Sequence, residues 1–340
     1  MLFRSLHNNS INAALATSLG VALLWLRYFA VDITHYTALD SPSMPLWDVV
    51  INPLFGYSAF TAALSSLGLV FLNGLFLNRM AARYALIQRQ SLIVLLVYAM
   101  FSSAFLSVQK LSPVWVFVLF FVLGLDNLFA AVDRRNPSVK CFDAGLLLGF
   151  ASLFYAKGVF FFPLYILAMG VLRLHSFRSV AASFMGLLFP FAMSFAYYLF
   201  LDKGAFFYEI LVENLVANPG QYSHTLYSRI YMAFLILITG VSLLVCIRQM
   251  NVQKIIVRRY FRIFVWIILV NAAAVMSPFF SMELMPLSVS ALALVVSKWF
   301  EVMQRDRVRE IVFLVFVIVT VAGPLADFAH RVGSVEDQGD

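Results

Sequence analysis

"GLLLGFASLFYAKGVFFFPLYILAMG", residues 145–170, carries a single charge in an apolar run, Lys157, with Gly158 beside it. With its flanks the run extends over 142–172, 31 residues. One straight bilayer crossing needs roughly 20 residues, so the run is too long for one helix and too short for two ordinary ones and a turn. The length predicts two short helices, 142–156 and 159–172, meeting at Lys157-Gly158. Lysine at a bilayer centre costs on the order of 2.5 to 3.5 kcal/mol, and a turn near the interface removes most of that. Asp143 cannot neutralise it within one helix, because fourteen residues at a rise of about 1.5 Å each separate them by about 21 Å. The ammonium therefore needs a partner from elsewhere. A lipid phosphate or an anionic substrate group suits a compact, hydrated cation, and snorkelling to headgroups is the plainer alternative.

Segments as apolar as this recur from end to end, at 11–31, 54–77, 91–108, 114–131, 180–201, 230–247, 264–276, 284–297 and 311–328. With the pair around Lys157 the chain has about eleven spans. The composition agrees: 62% hydrophobic, 12% charged and a mean hydropathy of +0.90, far from the balance of soluble proteins. Lipid offers the backbone no hydrogen bonds, so spans must be helices or closed barrels, and the alternation of barrel strands is missing. The expected fold is all-α, a polytopic transmembrane helical bundle. It forms one integral membrane domain over 1–331 with a short polar tail at 332–340. The first span is too long for a typical secretion-signal core and ten more follow, so it is read as retained.

Basic residues accumulate in cytoplasmic loops. With a cytoplasmic N-terminus, inner loops hold 18 of the 24 lysines and arginines, which places the C-terminus in the periplasm. The net charge of +7 is thus spread over short loops as topology signals and phospholipid contacts, and nucleic acid is excluded as a partner. Cys141 and Cys246 fall at inner span ends, where disulfides are rare. The five histidines show no metal-binding spacing, and no phosphate-binding glycine loop appears. No metal site or cofactor follows from motifs; a divalent cation is the one cofactor that the outer carboxylates leave open. In span four, Asp126 and Asn127 lie toward the inner end, where Arg134 and Arg135 are expected to compensate the carboxylate.

Acids favour the outer side. The first long outer loop, "DITHYTALDSPSMPLWDVVINP" (32–53), holds Asp32, Asp40 and Asp48. The second, 202–229, contains a helical period over 205–217 that sets Phe206, Ile210 and Val216 against Glu209 and Glu213. Such an amphipathic helix lies along the outer membrane surface. Glu209 and Glu213, four apart, share a face and offer a paired-carboxylate site for sugar hydroxyls, a metal ion or a proton; solvation of a polar face is the plainer reading.

"DAGLLLGFASLFYAKGVFFFPLYILAMGVLRL" (143–174) resembles the Gly-rich short helix, Lys-Gly turn and second helix of GT-C type integral-membrane glycosyltransferases. "SPFFSMELMPLSVSALALVVSKWF" (277–300) is similar to their late segment, where a short external turn with a proline precedes a span. The chain also resembles a family of polytopic bacterial inner-membrane proteins. The GT-C resemblance implies transfer of a sugar from a polyprenyl-phosphate donor at the periplasmic face. Asp32, just after the first span in "RYFAVDITHY", then stands where the family has a general base. Lys157 would stabilise the departing phosphate, with Arg27 either beside it or paired to Asp32. Where the family often has a second acid, Ile33 and Thr34 follow here, and where it holds the donor phosphate this chain has Met282 and Glu283. Two other classes compete: a non-catalytic scaffold or accessory subunit of an envelope assembly with a membrane protein partner, and a small-solute or lipid transporter, which would require broken helices in matching halves.

Overall fold

A computed structural model describes residues 19–22, 25, 44–55, 58–87, 92–103, 109–132, 134–216, 226–250, 253–275, 284–303 and 307–320. The described chain is 88% helical and contains no strand, the all-α bundle expected of so apolar a sequence. After a short helical stretch at Trp47–Ile51 and Asn52–Phe55, the helices are α1 (Ala59–Arg83), α2 (Ile93–Ser102), α3 (Pro113–Ala131), α4 (Pro137–Ser152), α5 (Phe162–Leu172), α6 (Phe177–Phe200), α7 (Gly204–Val216), α8 (Leu226–Gln249), α9 (Ile255–Val275), α10 (Met285–Val302) and α11 (307–320).

Local chemistry sets their starts. Ser58 and Thr61 form a reciprocal capping box at α1, each side chain taking the other's backbone N–H at 3.2 Å. Ser112 caps α3 ahead of Pro113, and Ser176 caps α6.

Among the described residues, five stretches are long and apolar enough to cross a membrane: Phe60–Arg83, Pro113–Ala131, Phe177–Phe200, Arg229–Gln249 and Met285–Val302. α2 is shorter than its apolar run, ten residues or about 15 Å. α9 begins nine residues before the predicted 264, because a helix end tolerates the Arg258, Arg259 and Arg262 that interrupt the apolar pattern.

One apolar core runs from Val21 to Phe316. Its centre is α3, whose Trp115, Phe117, Phe121 and Phe129 are fully buried. α4 lies between α3 and α6, and the α4–α6 contact is backbone to backbone. A β-carbon on Gly145 would fall 1.9 Å from the Ser183 carbonyl oxygen, one on Gly149 2.3 Å from that of Leu187, and one on Gly186 2.3 Å from that of Phe142. The GLLLG spacing puts both α4 glycines on one face, the small-residue arrangement by which membrane helices approach closely.

The antiparallel helices give the bundle two ends. One is fixed by the Arg83–Asp126 ion pair and by Tyr84 and Phe129 packing on Tyr260; it carries most of the basic residues. At the other, Trp47 packs with Ala62, Leu111, Val116 and Phe154.

Candidate functional site

The Trp47 end holds Lys157. The sequence expectation of a broken segment is met: α4 stops at Ser152, Leu153 to Tyr155 turn, and a 3-10 helix over Ala156–Phe161 leads into α5. The break is closed by the Gly158 N–H donating to the Tyr155 carbonyl at 2.8 Å. The glycine is required by contact: a β-carbon there would lie 2.3 Å from Phe117 Cε2 and 3.0 Å from Ser152 Oγ. Lys157 is drawn into the fold beside it and is only 5% exposed.

α7 packs against this 3-10 turn and against the end of α6. Its inward face is Phe207, 3% exposed, and Asn214, 7% exposed. Phe207 stacks on Tyr198 at 5.4 Å between ring centroids, and Asn214 Nδ2 donates to the Ile210 carbonyl at 2.9 Å. This corrects the expected amphipathic phase. Phe206 and Val216 are exposed on the same side as Glu209 and Glu213, opposite the buried Phe207. The Phe206-Phe207 pair makes both faces apolar in sequence; Tyr198 touches both rings, and it is Phe207, packed on Phe195 as well, that is buried.

Asp48 also reaches this end. Its neighbour Trp47 is wholly buried, which fixes the segment, while Asp48 stays exposed and acts electrostatically on Tyr198. Of the sequence-predicted site residues, Lys157 and Asp48 therefore share one end with the inner face of α7. Arg27, Asp32, Asp40 and Glu283 lie outside the described residues. Among the described residues no three His, Cys, Asp or Glu side chains come together to hold a metal ion.

Beneath this end lies a buried polar chain that sequence reasoning missed. Trp25 Nε1 donates to Ser103 Oγ at 2.9 Å, Gln109 Nε2 to the Ser103 carbonyl at 2.8 Å, and Ser66 Oγ to the Gln109 carbonyl at 3.1 Å. All four residues are at most 1% exposed. Buried polar groups are paired in this way because leaving them unmade is costly. The available signal was a glutamine and paired serines bordering apolar runs.

At the basic end the carboxylates have structural partners. Asp126 pairs with Arg83 at 2.9 Å, correcting the expectation of Arg134 and Arg135: α1 delivers Arg83 alongside α3. Tyr84 donates from its hydroxyl to the Asp126 backbone carbonyl at 3.0 Å. Burial, helped by the Asp126 charge, pushes that phenol's pKa well up, so it remains a donor. Lys140 bridges Asn127 Oδ1 at 3.0 Å and Asp143 Oδ2 at 2.9 Å. Asp143 is thereby committed at the end opposite Lys157.

Comparison with protein-family models, curated proteins and solved structures returned no match.

Proposed function

We propose that the chain is an integral protein of the bacterial inner membrane that transfers a sugar from a polyprenyl-phosphate donor, using the end that carries Lys157. The basic end faces the cytoplasm by the positive-inside rule, so the Lys157 end faces the periplasm. The observation that carries the reading is Lys157 itself, a cation 5% exposed, positioned by a glycine wedged under Phe117. Buried cations in membrane proteins mark binding sites by default, and phosphate is the charge that a fixed ammonium matches.

In the reaction, an acceptor hydroxyl forms a bond to the anomeric carbon as the bond from that carbon to the phosphate oxygen breaks. Asp32 takes the hydroxyl proton. The electron pair leaves with the lipid phosphate, and Lys157 stabilises the added negative charge in a site of low dielectric. Metal is not required by this scheme, although a divalent cation would supply the same stabilisation to the phosphate.

The test is transfer from a polyprenyl-phosphate sugar to lipid or glycan by the purified protein in nanodiscs. Lys157→Gln and Asp32→Asn should each lower the rate by about 100-fold or more, the scale for removing one group that stabilises developing charge. Both variants should keep the wild-type melting profile. Wild-type rates in both would remove the proposed chemistry.

A scaffold is the second reading, favoured by Ile33 and Thr34 in place of a second acid and by Glu209 and Glu213 on the exposed side of α7. It predicts a stable membrane protein partner on co-purification and no dependence on position 32 or 157.

A further inference from the structure

Far from Lys157, α9 carries a basic surface, and among the described residues no ion pair joins Arg258, Arg259 or Arg262 to a carboxylate. No Asp or Glu occurs between Glu213 and Glu283, so α8 and α9 contain no acid. The carboxylates Asp126, Asp143 and Glu301 at this end are paired with Arg83, Lys140 and Lys298. Arg258 and Arg259 are half-buried and Arg262 is exposed. α5 packs on α9 and ends at Arg173, adding a further exposed cation at the same end.

The helical repeat makes this more than a basic loop. At about 100° per residue, Arg258, Arg259 and Arg262 lie on the face that continues through Trp266 and Leu269 to Ala273. Trp266 is 39% and Leu269 50% exposed, while the opposite face, Val257, Phe261 and Phe264, is at most 4% exposed in the core. The outward stripe thus has a cationic head and an apolar tail. From Arg262 to Ala273 it runs eleven residues, about 16 Å, and one leaflet of hydrocarbon is about 15 Å thick.

We infer that this face of α9 binds one anionic phospholipid, its phosphate held by Arg258, Arg259 and Arg262 and an acyl chain lying along Trp266 and Leu269. Guanidinium groups form paired hydrogen bonds to phosphate oxygens that ammonium groups do not, and three arginines within five residues supply several such forks. The indole of Trp266 sits one turn below, at the depth where aromatic rings anchor at an interface. An anionic headgroup offsets part of the cluster's positive charge; a zwitterionic one brings no net charge to it.

The full-length protein in nanodiscs of phosphatidylcholine with 20% phosphatidylglycerol tests this, and extraction followed by native mass spectrometry counts the lipids retained. The expected result is about one retained phosphatidylglycerol per protein. Arg258→Gln with Arg262→Gln should lower that retention at least fivefold, while Arg134→Gln with Arg135→Gln, equally basic and exposed at the same end, should leave it unchanged. Equal loss in both pairs would reduce the effect to general surface charge and overturn the site. Because the double variant could insert poorly, a photo-crosslinking phosphatidylglycerol applied to the wild type gives an independent reading. Its label should concentrate on the peptide covering 255–273, and an even spread over the exposed apolar surface of α6 would also overturn the inference.

Discussion

Gly145 and Ser183 set the distance between α4 and α6: a β-carbon on the glycine would lie 1.9 Å from the serine's carbonyl oxygen. The obstacle is backbone, which cannot rotate away as a side chain can. Gly145→Ala should therefore force the helices apart and cost about 1 to 3 kcal/mol, the usual scale of overpacking. Gly240→Ala in α8, where a β-carbon meets nothing within 4 Å, should change stability by less than about 0.5 kcal/mol. Thermal unfolding in one lipid composition compares the two, and equal melting points would deny the close contact.

Gly158 faces a different obstacle, the fully buried ring of Phe117. Gly158→Ala must push that ring or lift the Lys157 turn, and a ring can be trimmed. Gly158→Ala alone should destabilise by about 1 to 3 kcal/mol. Combined with Phe117→Leu, the cost should be smaller than the sum of the two single changes, because both act on one contact. Strict additivity in a double-mutant cycle would show that the glycine is needed for another reason.

The pair at Lys157 was legible from length alone, since a largely apolar run of 31 residues with a lysine near its middle fits no other common arrangement. The helix ends were not: α4 starts at Pro137 and α9 at Ile255 because charged residues continue a helix past its apolar part. The GLLLG spacing announces a close helix contact, yet nothing in that stretch names the partner, which comes from Ser183 and Gly186 some 38 positions later. Asp126 likewise met Arg83 and not its sequence neighbours, because proximity along the chain is a poor guide once α1 lies beside α3. For α7 the hydrophobic pattern held two phases, and only packing on both Tyr198 and Phe195 separated Phe207 from Phe206.

Lys298 and Glu301 form a 2.7 Å ion pair with side chains only 4% and 11% exposed. Water cannot rescue either charge if its partner is removed. Lys298→Met should cost about 3 to 5 kcal/mol, whereas Lys298→Met with Glu301→Leu should recover most of that loss, since a well-packed apolar pair often substitutes for a buried ionic one. Denaturation of the three proteins under one condition decides it. A double variant as unstable as the single one would locate the cost in packing.

Introduced thiols permit a direct test of which end faces the cytoplasm, because the native ones are silent. Cys141 is fully buried and Cys246 is 3% exposed, so neither should react with a membrane-impermeant maleimide in the folded protein, and reactivity follows access to the thiolate. Lys203 and Arg135 are both exposed, and they stand at opposite ends, Lys203 beside α7 and Arg135 between α3 and α4. With the basic end in the cytoplasm, Lys203→Cys should label in cells whose outer membrane alone is permeable. Arg135→Cys should label only after the inner membrane is opened. The choice of sites matters, because Lys203 precedes α7 and Arg135 is one of many basic residues at its end, so neither substitution reverses the overall charge asymmetry that orients the chain. The reverse labelling pattern would turn the Lys157 end toward the cytoplasm and move any lipid-phosphate chemistry to the other face of the membrane.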